Sequence, residues 1–327
     1  MAIKLLNALI AIIGGIGGAM LLYWLLNKLA ESLKGRWEDR VKPWMFAGPA
    51  ILAIAVYLIY PAVTTIQLSF ANEDSSAYIG FKNYKDLLTD SSFLQVLLNN
   101  VLWIVIVPAL TVILGLGVAV LADRLKPQGE KVSKTFIFLP MAISMVGAAT
   151  IWRSIYQFQP EGTPQTGLLN AITGLFGKSP VYWYSVDTLR LNSLLLMIIL
   201  IWTQVGYSMV LLSAAVKSVP DDTIEAGRID GAGERRIFFS IVVPQIWPTV
   251  ITVFITVLIG VMKVFDVVYV TTNGAYNTDV IGRRFFDTLF TQGNAGQAAA
   301  IVVILMIAII PILIYQVRQF RAQEASR

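Results

Sequence analysis

The side chains available for chemistry in this chain are few in kind. Its 327 residues contain no Cys and no His, which excludes thiol nucleophiles, thiolate or imidazole metal sites and any Ser/His/Asp triad. The carboxylates, Ser and Lys that remain form no reactive cluster. Gly177-Lys178-Ser179 comes nearest to a phosphate-binding loop, but Ile172 stands where that motif needs Gly. The sequence therefore predicts a protein that is not an enzyme and carries no ATP, cofactor or metal site of its own.

Polar and aromatic side chains interrupt three long apolar stretches, where they could hydrogen-bond a polar solute and cover its C–H faces. They are Asn99, Asn100 and Trp103 on the first stretch, Trp202, Gln204 and Tyr207 on the second, and Lys263, Asp266 and Tyr269 on the third. Aromatic residues also mark membrane interfaces, and amides also join helix to helix. Lys263 and Asp266 are three residues apart, so on one helical face they could neutralise each other. Both interpretations stay open at this stage.

The elements that must position these residues are membrane-spanning helices. Hydrophobic residues make up 56% of the chain and charged residues 14%, whereas a soluble domain is nearer a quarter charged. Seven stretches are long and apolar enough to cross a bilayer as helices. They are Ile3–Leu26, Trp44–Ile66, Leu94–Leu121, Phe136–Ile155, Asn192–Val216, Pro244–Phe265 and Ala298–Val317.

Basic residues indicate the orientation of these spans. Sixteen Lys and Arg residues fall on one set of connections and nine on the other. Since positive charge accumulates on cytoplasmic loops, the N-terminus is predicted to be external and the C-terminus cytoplasmic. The net charge of +5 is then explained without nucleic acid. The first span is longer than a signal-peptide core and lacks a clear cleavage site, which favours a retained helix.

One cytoplasmic stretch, Lys217–Pro248, predicts a helix–turn–helix bracket under the bilayer. Pro220 and the two Asp residues after it are typical of a helix start. A short helix is expected over Thr223–Asp230, with a break at Gly231. A second helix is expected to begin in Glu234–Ser240 and to continue into the membrane.

The bracket resembles the EAA loop of ABC importer permeases. That loop has the spacing E-A-A, three residues, G, nine residues, I-x-L-P. Here Glu225-Ala226-Gly227, Gly231 and Ile241-x-Val243-Pro244 keep the spacing, and Asp230-Gly231-Ala232 is similar to the family's D-G-A. We call residues 217–244 the EAA-like loop. Gly227 stands for the second Ala, which should loosen the short helix by up to about 1 kcal/mol.

The resemblance extends over roughly residues 43–320 through short motifs in the order of the sugar-importer permeases. They are Leu98-Asn99-Asn100, Phe138-Leu139-Pro140, Ala149-x-Ile151-Trp152, Gly167-x-x-Asn170, Trp202 with Gly206-Tyr207, and Phe265-Asp266 with Tyr269-Val270. Together they point to the maltose/α-glucoside branch. Asn273-Gly274-Ala275 departs from the family's G-G-P, so a different loop conformation is expected there.

The resemblance implies an all-α polytopic bundle, with an extra helix and its connection in residues 1–42 and a six-helix permease core in residues 43–327. It also implies a bacterial inner-membrane complex with a second homologous permease, two ATP-binding subunits that hold ATP and Mg, an extracellular solute-binding protein and a sugar. Glu225 should meet a basic residue of an ATP-binding subunit. Trp202 and Gly206 match positions that line the sugar site of the maltose protein. The external segments Tyr156–Asp187 and Thr271–Gly296 should face the solute-binding protein.

Three other interpretations compete with this one. An importer for a non-sugar osmolyte would share most of these motifs. A secondary transporter would work without ATP-binding partners and would be expected to show inverted repeats and intramembrane carboxylates, and no repeat is visible in the sequence. Glu225, Arg228 and Glu234 could also form only a solvated charged face, without a docking role.

Overall fold

The computed structural model describes residues 2–32 and 36–325. Residues 33–35, which belong to the predicted connection between the first two spans, lie outside the described ranges. In the described part of the chain there is no β-strand, only an isolated bridge between Ala71 and Tyr78. The α-helices of the described residues are α1 (Ala2–Glu31), α2 (Arg36–Ile54), α3 (Tyr60–Leu68), α4 (Lys82–Thr89), α5 (Ser91–Asp123), α6 (Pro127–Phe138), α7 (Met145–Ile155), α8 (Leu168–Leu175), α9 (Leu191–Lys217), α10 (Asp221–Ile229), α11 (Glu234–Ile237), α12 (Val243–Met262), α13 (Asp266–Thr271), α14 (Ile281–Phe286) and α15 (Ala295–Ala325). The predicted all-α class is confirmed.

Short segments of other helical types join or extend several of these helices. The π-helical turns are Ala55–Ile59, Phe238–Val242 and Asp287–Thr291, and the 3₁₀ turns are Leu139–Ala142, Trp183–Ser185 and Thr188–Arg190. The π turn at Phe238–Val242 makes α11 and α12 one continuous span, Glu234–Met262. The second helix of the bracket is therefore continuous, as predicted, and is long and apolar enough to cross a membrane.

Six helical segments of the described chain are long and apolar enough to cross a membrane, and a bent pair can supply a seventh. The predicted number of seven spans is reached if the bent pair counts as one span, but the single helix expected over Phe136–Ile155 is wrong. Pro127–Ala142 and Met145–Ile155 meet at 104°. Pro140 disfavours continuation of the first helix, and Ser144 begins the second by accepting a hydrogen bond from the Gly147 N–H at 3.2 Å.

The chain forms two compact units, Met1–Gln67 and Leu68–Arg327. In the first unit, α1 and α2 lie against each other, and the Tyr23 and Phe46 rings stack with centroids 6.2 Å apart. Its apolar side chains are mostly exposed, as expected for helices surrounded by lipid. The units reflect packing within this chain, so the family-based boundary between residues 42 and 43 stays a prediction.

In the second unit, α9 is the central helix. More than half of its most apolar stretch is buried, at 56%, against 33% for α5. Two glycines allow close approach to its neighbours. A Cβ on Gly115 of α5 would lie 2.4 Å from the Ser208 Oγ of α9, and a Cβ on Gly206 of α9 would lie 2.5 Å from the Ile137 carbonyl oxygen of α6. Small residues at such contacts let helix backbones meet in a membrane.

Candidate functional site

The EAA-like loop folds as two helices joined by a tight glycine turn. α10 ends at Ile229, and Gly231 adopts a φ of +78°, a conformation that L side chains adopt only at a cost. The Ala232 N–H donates to the Gly227 carbonyl and the Gly231 N–H to the Arg228 carbonyl, both at 3.0 Å. This is the Schellman end of a helix, with glycine at its left-handed position. The predicted break at Gly231 is confirmed, and α10 begins two residues before the predicted start.

Gly227, the departure from the family motif, lies buried against the second helix of the loop. A Cβ there would be 2.8 Å from the Ile241 Cδ1 and 3.5 Å from the Ile237 Cγ1. The missing methyl group leaves the space that Ile241 occupies. Glycine at this position lowers the helix propensity of α10, but it also lets α10 approach the second helix of the loop more closely than alanine would.

Two of the exposed charged residues of the loop pair with each other. Arg228 Nε donates to Glu234 Oε1 at 2.8 Å, so an exposed ion pair links α10 to α11, and such pairs contribute little to stability. Glu225, Ala226 and Asp230 are exposed on α10 and at its end. Glu225, Arg228 and Glu234 are all exposed, so the interpretation of this charge run as a solvated face without a docking role stays open. Of the remaining motif residues, Ala232 and Ile241 are half-buried and Pro244 is exposed.

A groove of about 270 Å³ separates the loop from the ends of α5 and α9. Its walls carry Val120 and Val216 from those two helices and Ile224, Phe238 and Phe239 from the loop, while Arg124, Arg228, Glu234 and Arg235 stand among them. An apolar surface with charged neighbours is typical of a protein docking site. The loop thus presents a shaped surface rather than an extended connection.

A smaller cavity of about 160 Å³ lies where α12 gives way to α13. Gln204 of α9 and Lys263 and Asp266 from the break between the two helices contribute its polar groups, and Met145 of α7 contributes part of its apolar wall. Interrupted helices within membrane proteins commonly border solute paths, because backbone that is not helical must face protein or water. Among the predicted path residues, the structure brings Gln204 and Asp266 together here.

The expectation that Lys263 and Asp266 share one helical face is wrong. α12 ends at Met262 and α13 begins at Asp266, and Phe265 between them has φ −143° and ψ −60°. Lys263 and Asp266 are both exposed, and both line the cavity. Within the described chain no ion pair joins them. The two side chains therefore do not neutralise each other.

Asn99 and Asn100 hold the segment after α13 against α5. Asn99 Nδ2 donates to the carbonyls of Asn277 at 2.6 Å and Asp279 at 2.8 Å. Asn100 Oδ1 accepts from the Ile281 N–H at 2.7 Å. Both amides are buried, as is Trp103. None of these three predicted path residues lines the cavity at the α12–α13 break, whereas Asn99 borders a separate cavity between α5 and the segment after α13. Whether the three residues contact solute stays a prediction.

Two residues that sequence analysis did not single out complete this attachment. Arg190 Nη1 donates to Asn99 Oδ1 at 2.8 Å, and Asn192 Nδ2 donates to the Tyr276 carbonyl at 2.7 Å. Five of the six non-glycine residues with positive φ in the described chain lie in the two segments that meet here, namely Leu189, Arg190, Asn273, Tyr276 and Asn277. Each such conformation costs of order 1–3 kcal/mol, so the surrounding contacts must hold it. Polar residues at the start of an apolar helix could have drawn attention to Arg190 and Asn192, but their partners are distant in sequence.

Burial also governs Asp279, which is bonded through its carbonyl to Asn99. Burial raises the pKa of the Asp279 carboxyl above its ordinary value, although the positive charges of Arg283 and Arg284 act to lower that pKa. Arg283 Nη1 lies 3.1 Å from Asp279 Oδ2. The segment is thus fastened by backbone hydrogen bonds and by a partly buried ion pair together.

Asn99→Ala is expected to loosen this segment. The change removes two donors to loop carbonyls and the acceptor for Arg190, so we expect a loss of about 1–3 kcal/mol in the free energy of unfolding. Trypsin should then cut faster after Arg283 and Arg284, which are half-buried in the native chain. Leu98→Ala, at an exposed neighbouring position, is the control. Equal cleavage rates in the two variants would contradict the role assigned to Asn99.

The remaining predicted path residues have different surroundings. Trp202 packs edge-on to Trp152, with ring centroids 5.9 Å apart, and Tyr207 is half-buried nearby on the same helix. Gly206 lies at the contact between α9 and α6. Tyr269 stacks on Phe265 with centroids 4.9 Å apart and packs edge-on to Phe286, yet 43% of its surface is exposed. Trp202 and Tyr269 keep aromatic surface that a solute could contact, whereas Gly206 has a packing role.

Comparison with known proteins gives one family over most of the chain. Residues 111–322 match the family described as the binding-protein-dependent transport system inner membrane component. The alpha-glucoside transport system permease protein AglF of Rhizobium meliloti is 40% identical over 329 residues, covering 96% of this chain and 97% of AglF. The osmoprotective compounds uptake permease protein GgtC of Synechocystis is 44% identical over 283 residues, covering 86% of this chain and all of GgtC.

A solved structure shows the same fold. The chain resembles a subunit of a bacterial ABC transporter involved in the import of the acidic polysaccharide alginate, with a TM-score of 0.73 and 20% identity. The match covers 87% of this chain and 98% of that subunit. It extends the likeness from sequence to the arrangement of the helices.

Proposed function

Because this chain belongs to the family of binding-protein-dependent inner-membrane transport components, a permease rather than an enzyme, we propose that it forms half of a sugar path in an ATP-driven importer. In this proposal the EAA-like loop docks on an ATP-binding subunit, and the cavity at the α12–α13 break belongs to the solute path. Membership of this family does not support the secondary-transporter interpretation.

The observation that carries the proposal is the geometry of the EAA-like loop. Its two helices are joined by the turn at Gly231 and by the Arg228–Glu234 pair, yet Glu225 and Ala226 remain exposed. The family-like residues thus either build the bracket or point outward from it. A rigid bracket with an outward carboxylate suits docking on a basic surface.

The proposed partners follow from the chemistry that this chain lacks. Import against a gradient needs an energy source, and no phosphate-binding loop is present in the sequence. ATP and Mg would be bound by two separate ATP-binding subunits. A second homologous permease would complete the path, since the cavity of about 160 Å³ is small for an oligosaccharide. An extracellular solute-binding protein would deliver the sugar, as the related alginate transporter was solved with a pentasaccharide-bound periplasmic protein.

The proposed solute is an α-glucoside. The similarity to AglF supports this class, and the cavity offers an amide, a carboxylate and an ammonium group beside apolar walls, as sugar recognition requires. A second candidate is an osmoprotective solute such as a glucosylated polyol, because GgtC is a permease for osmoprotective compounds and is 44% identical. The two candidates share a glucosyl group and differ in what is attached to it.

The orientation proposed from the basic residues places the EAA-like loop in the cytoplasm. The chain has no native Cys, so single cysteines report cleanly. In intact spheroplasts a membrane-impermeant maleimide should label Leu175→Cys, in the segment predicted to be external. It should not label Ala226→Cys until the membrane is opened. The reverse pattern would contradict the orientation.

The test of the function uses the tagged chain purified with its partners from native membranes. Reconstituted into vesicles, the complex should hydrolyse ATP, and its co-purified or added binding protein should stimulate hydrolysis when loaded with maltose, trehalose or glucosylglycerol. Stimulation by the disaccharides supports the sugar assignment, and stimulation by glucosylglycerol alone supports the osmolyte. Absence of any ATPase under mild conditions would overturn the proposal.

A further inference from the structure

A polar cluster lies where α5 and α9 end and α6 begins, next to the EAA-like loop. Its members are Asp123 of α5, Glu130 and Lys134 of α6, and Ser213 and Lys217 of α9. Lys134 Nζ lies 2.5 Å from Asp123 Oδ1 and 2.7 Å from Glu130 Oε1, and it also donates to the Ser213 hydroxyl. Each of the three helices therefore contributes a partner to one lysine.

The other contacts close this cluster. The Ser213 hydroxyl lies 2.9 Å from Asp123 Oδ1 and can donate to it while it accepts from Lys134. Lys217 pairs with Glu130 and lies 3.6 Å from Asp123 Oδ1. The side chains of Asp123, Glu130 and Lys134 are only 14%, 21% and 19% exposed. With two cations and two carboxylates, the cluster is neutral, which is the condition under which partly buried charges are tolerated.

The cluster adds a polar attachment to the packing that already joins α9 to each neighbour. α6 contacts α9 at Gly206, close to the Ile137 carbonyl, and again through Glu130 and Lys217. Lys217 is eleven positions after Gly206, which corresponds to about 16 Å of helix. α5 contacts α9 at Gly115 and again through Asp123. Apolar packing has little directional preference, whereas charged and hydrogen-bonded partners at the helix ends resist sliding and rotation of the helices.

The bracket follows this assembly without a flexible connection. α9 ends at Lys217 and α10 begins at Asp221. In between, the Ser218 N–H donates to the Ala214 carbonyl at 3.1 Å, and Val219 is buried. A displacement of α10 therefore reaches α9 directly, and the cluster carries it to α5 and α6.

We infer that α5, α6 and α9 move as one body with the EAA-like loop, and that Lys134 is the positioning residue that joins them. This inference rests on the proposed docking function of the loop. It adds a residue outside the loop motif to the apparatus that converts ATP-driven movement into movement of the membrane helices.

Distances between spin labels test this directly, because the chain has no Cys to remove. Labels at Lys131→Cys on α6 and Ala226→Cys on α10 should give one narrow distance distribution in the purified complex, unchanged on adding Mg-ATP. Lys134→Met keeps the aliphatic stem and removes the charge. It should broaden the distribution and make it shift with Mg-ATP. Lys126→Met, an exposed lysine at the start of the same helix, should leave the distribution as in the parent.

Transport gives a second readout that a purely structural role would not change. With maltose, trehalose or glucosylglycerol as the transported probe, Lys134→Met should lower the solute imported per ATP about tenfold, within the range of mutations along coupling networks. Ser213→Ala removes one hydroxyl, leaves the ion pairs, and should broaden the distance distribution and lower the ratio to a smaller extent. If the Lys134→Met protein fails to assemble, the Ser213→Ala variant tests the same role of the cluster.

The outcomes separate the inference from the function on which it rests. A narrow, unchanged distribution in both Lys134→Met and Ser213→Ala, or a parent distance that shifts with Mg-ATP, would overturn the inference. Failure of any ATP-binding subunit to co-purify would overturn the proposed function. The width of the distribution without nucleotide would still show whether Lys134 joins the helices.

Discussion

Glu225→Lys and Gly231→Asp are each expected to uncouple ATP hydrolysis from uptake while the subunit still inserts in the membrane. Glu225 is exposed on α10, so reversing its charge leaves the fold intact and places like charges at a basic docking surface. Such juxtaposition costs several kcal/mol, which corresponds to a loss of about 100-fold in uptake. Gly231 has a φ of +78°, and a side chain there strains the turn by about 1–2 kcal/mol.

Each of these variants has a matched control in the chain. Glu161→Lys makes the same charge reversal at an exposed position in the segment predicted to be external. Gly233→Asp makes the same glycine substitution two residues later. Gly233 is the residue just before α11, its φ is −70°, and no atom lies within 4 Å of a new Cβ. Aspartate suits that position, so uptake should persist. Uptake by Glu225→Lys and Gly231→Asp equal to that of their controls would remove the docking role from the EAA-like loop.

Gly206→Leu is expected to abolish the stable fold of the second unit. Even a Cβ at this position would lie 2.5 Å from the Ile137 carbonyl oxygen and 2.6 Å from the Phe138 Cα. Both are backbone atoms, which cannot rotate away as a side chain can. Overpacking of one methyl group costs about 1–3 kcal/mol, so Gly206→Ala should lower the melting temperature clearly, and leucine should prevent assembly.

Gly260→Ala on α12 is the control for this effect, because nothing lies within 4 Å of its new Cβ. Alanine favours a helix over glycine by up to about 1 kcal/mol, so the control should be as stable as the parent or slightly more stable. Thermal unfolding in detergent and elution as a monodisperse complex measure both variants. A Gly206→Ala protein as stable as Gly260→Ala would mean that α6 and α9 are not in contact at this point.

The sequence was sufficient for features that depend on local residues. The break at Gly231 and the continuous second helix of the bracket followed from glycine, proline and carboxylate positions in one short segment. The apolar lengths predicted the number of spans. The bend of 104° between the halves of the fourth span was missed, although Pro140 and Ser144 provide a helix end and a new helix start. Total apolar length conceals such a bend.

Features that depend on distant partners could not be inferred in the same way. Asn99 was recognisable as an expensive polar group in an apolar stretch, but its partners at 277 and 279 lie far along the chain. Trp103 matched an aromatic pattern that solute binding and core packing share, and the structure buries it. The Lys134 cluster joins three helices through residues that, in sequence, look like ordinary basic and acidic flanks of spans.

Cross-linking at a single residue tests the central claim most directly. Ala226→Cys, exposed on α10, carries the only thiol of the chain, and a short photoactivatable maleimide on it should capture the ATP-binding subunit in native membranes. The same reagent on Leu175→Cys, exposed on α8, should capture none of that subunit. This result is predicted if the EAA-like loop docks where ATP is hydrolysed. Capture from Leu175→Cys but not from Ala226→Cys would contradict the account.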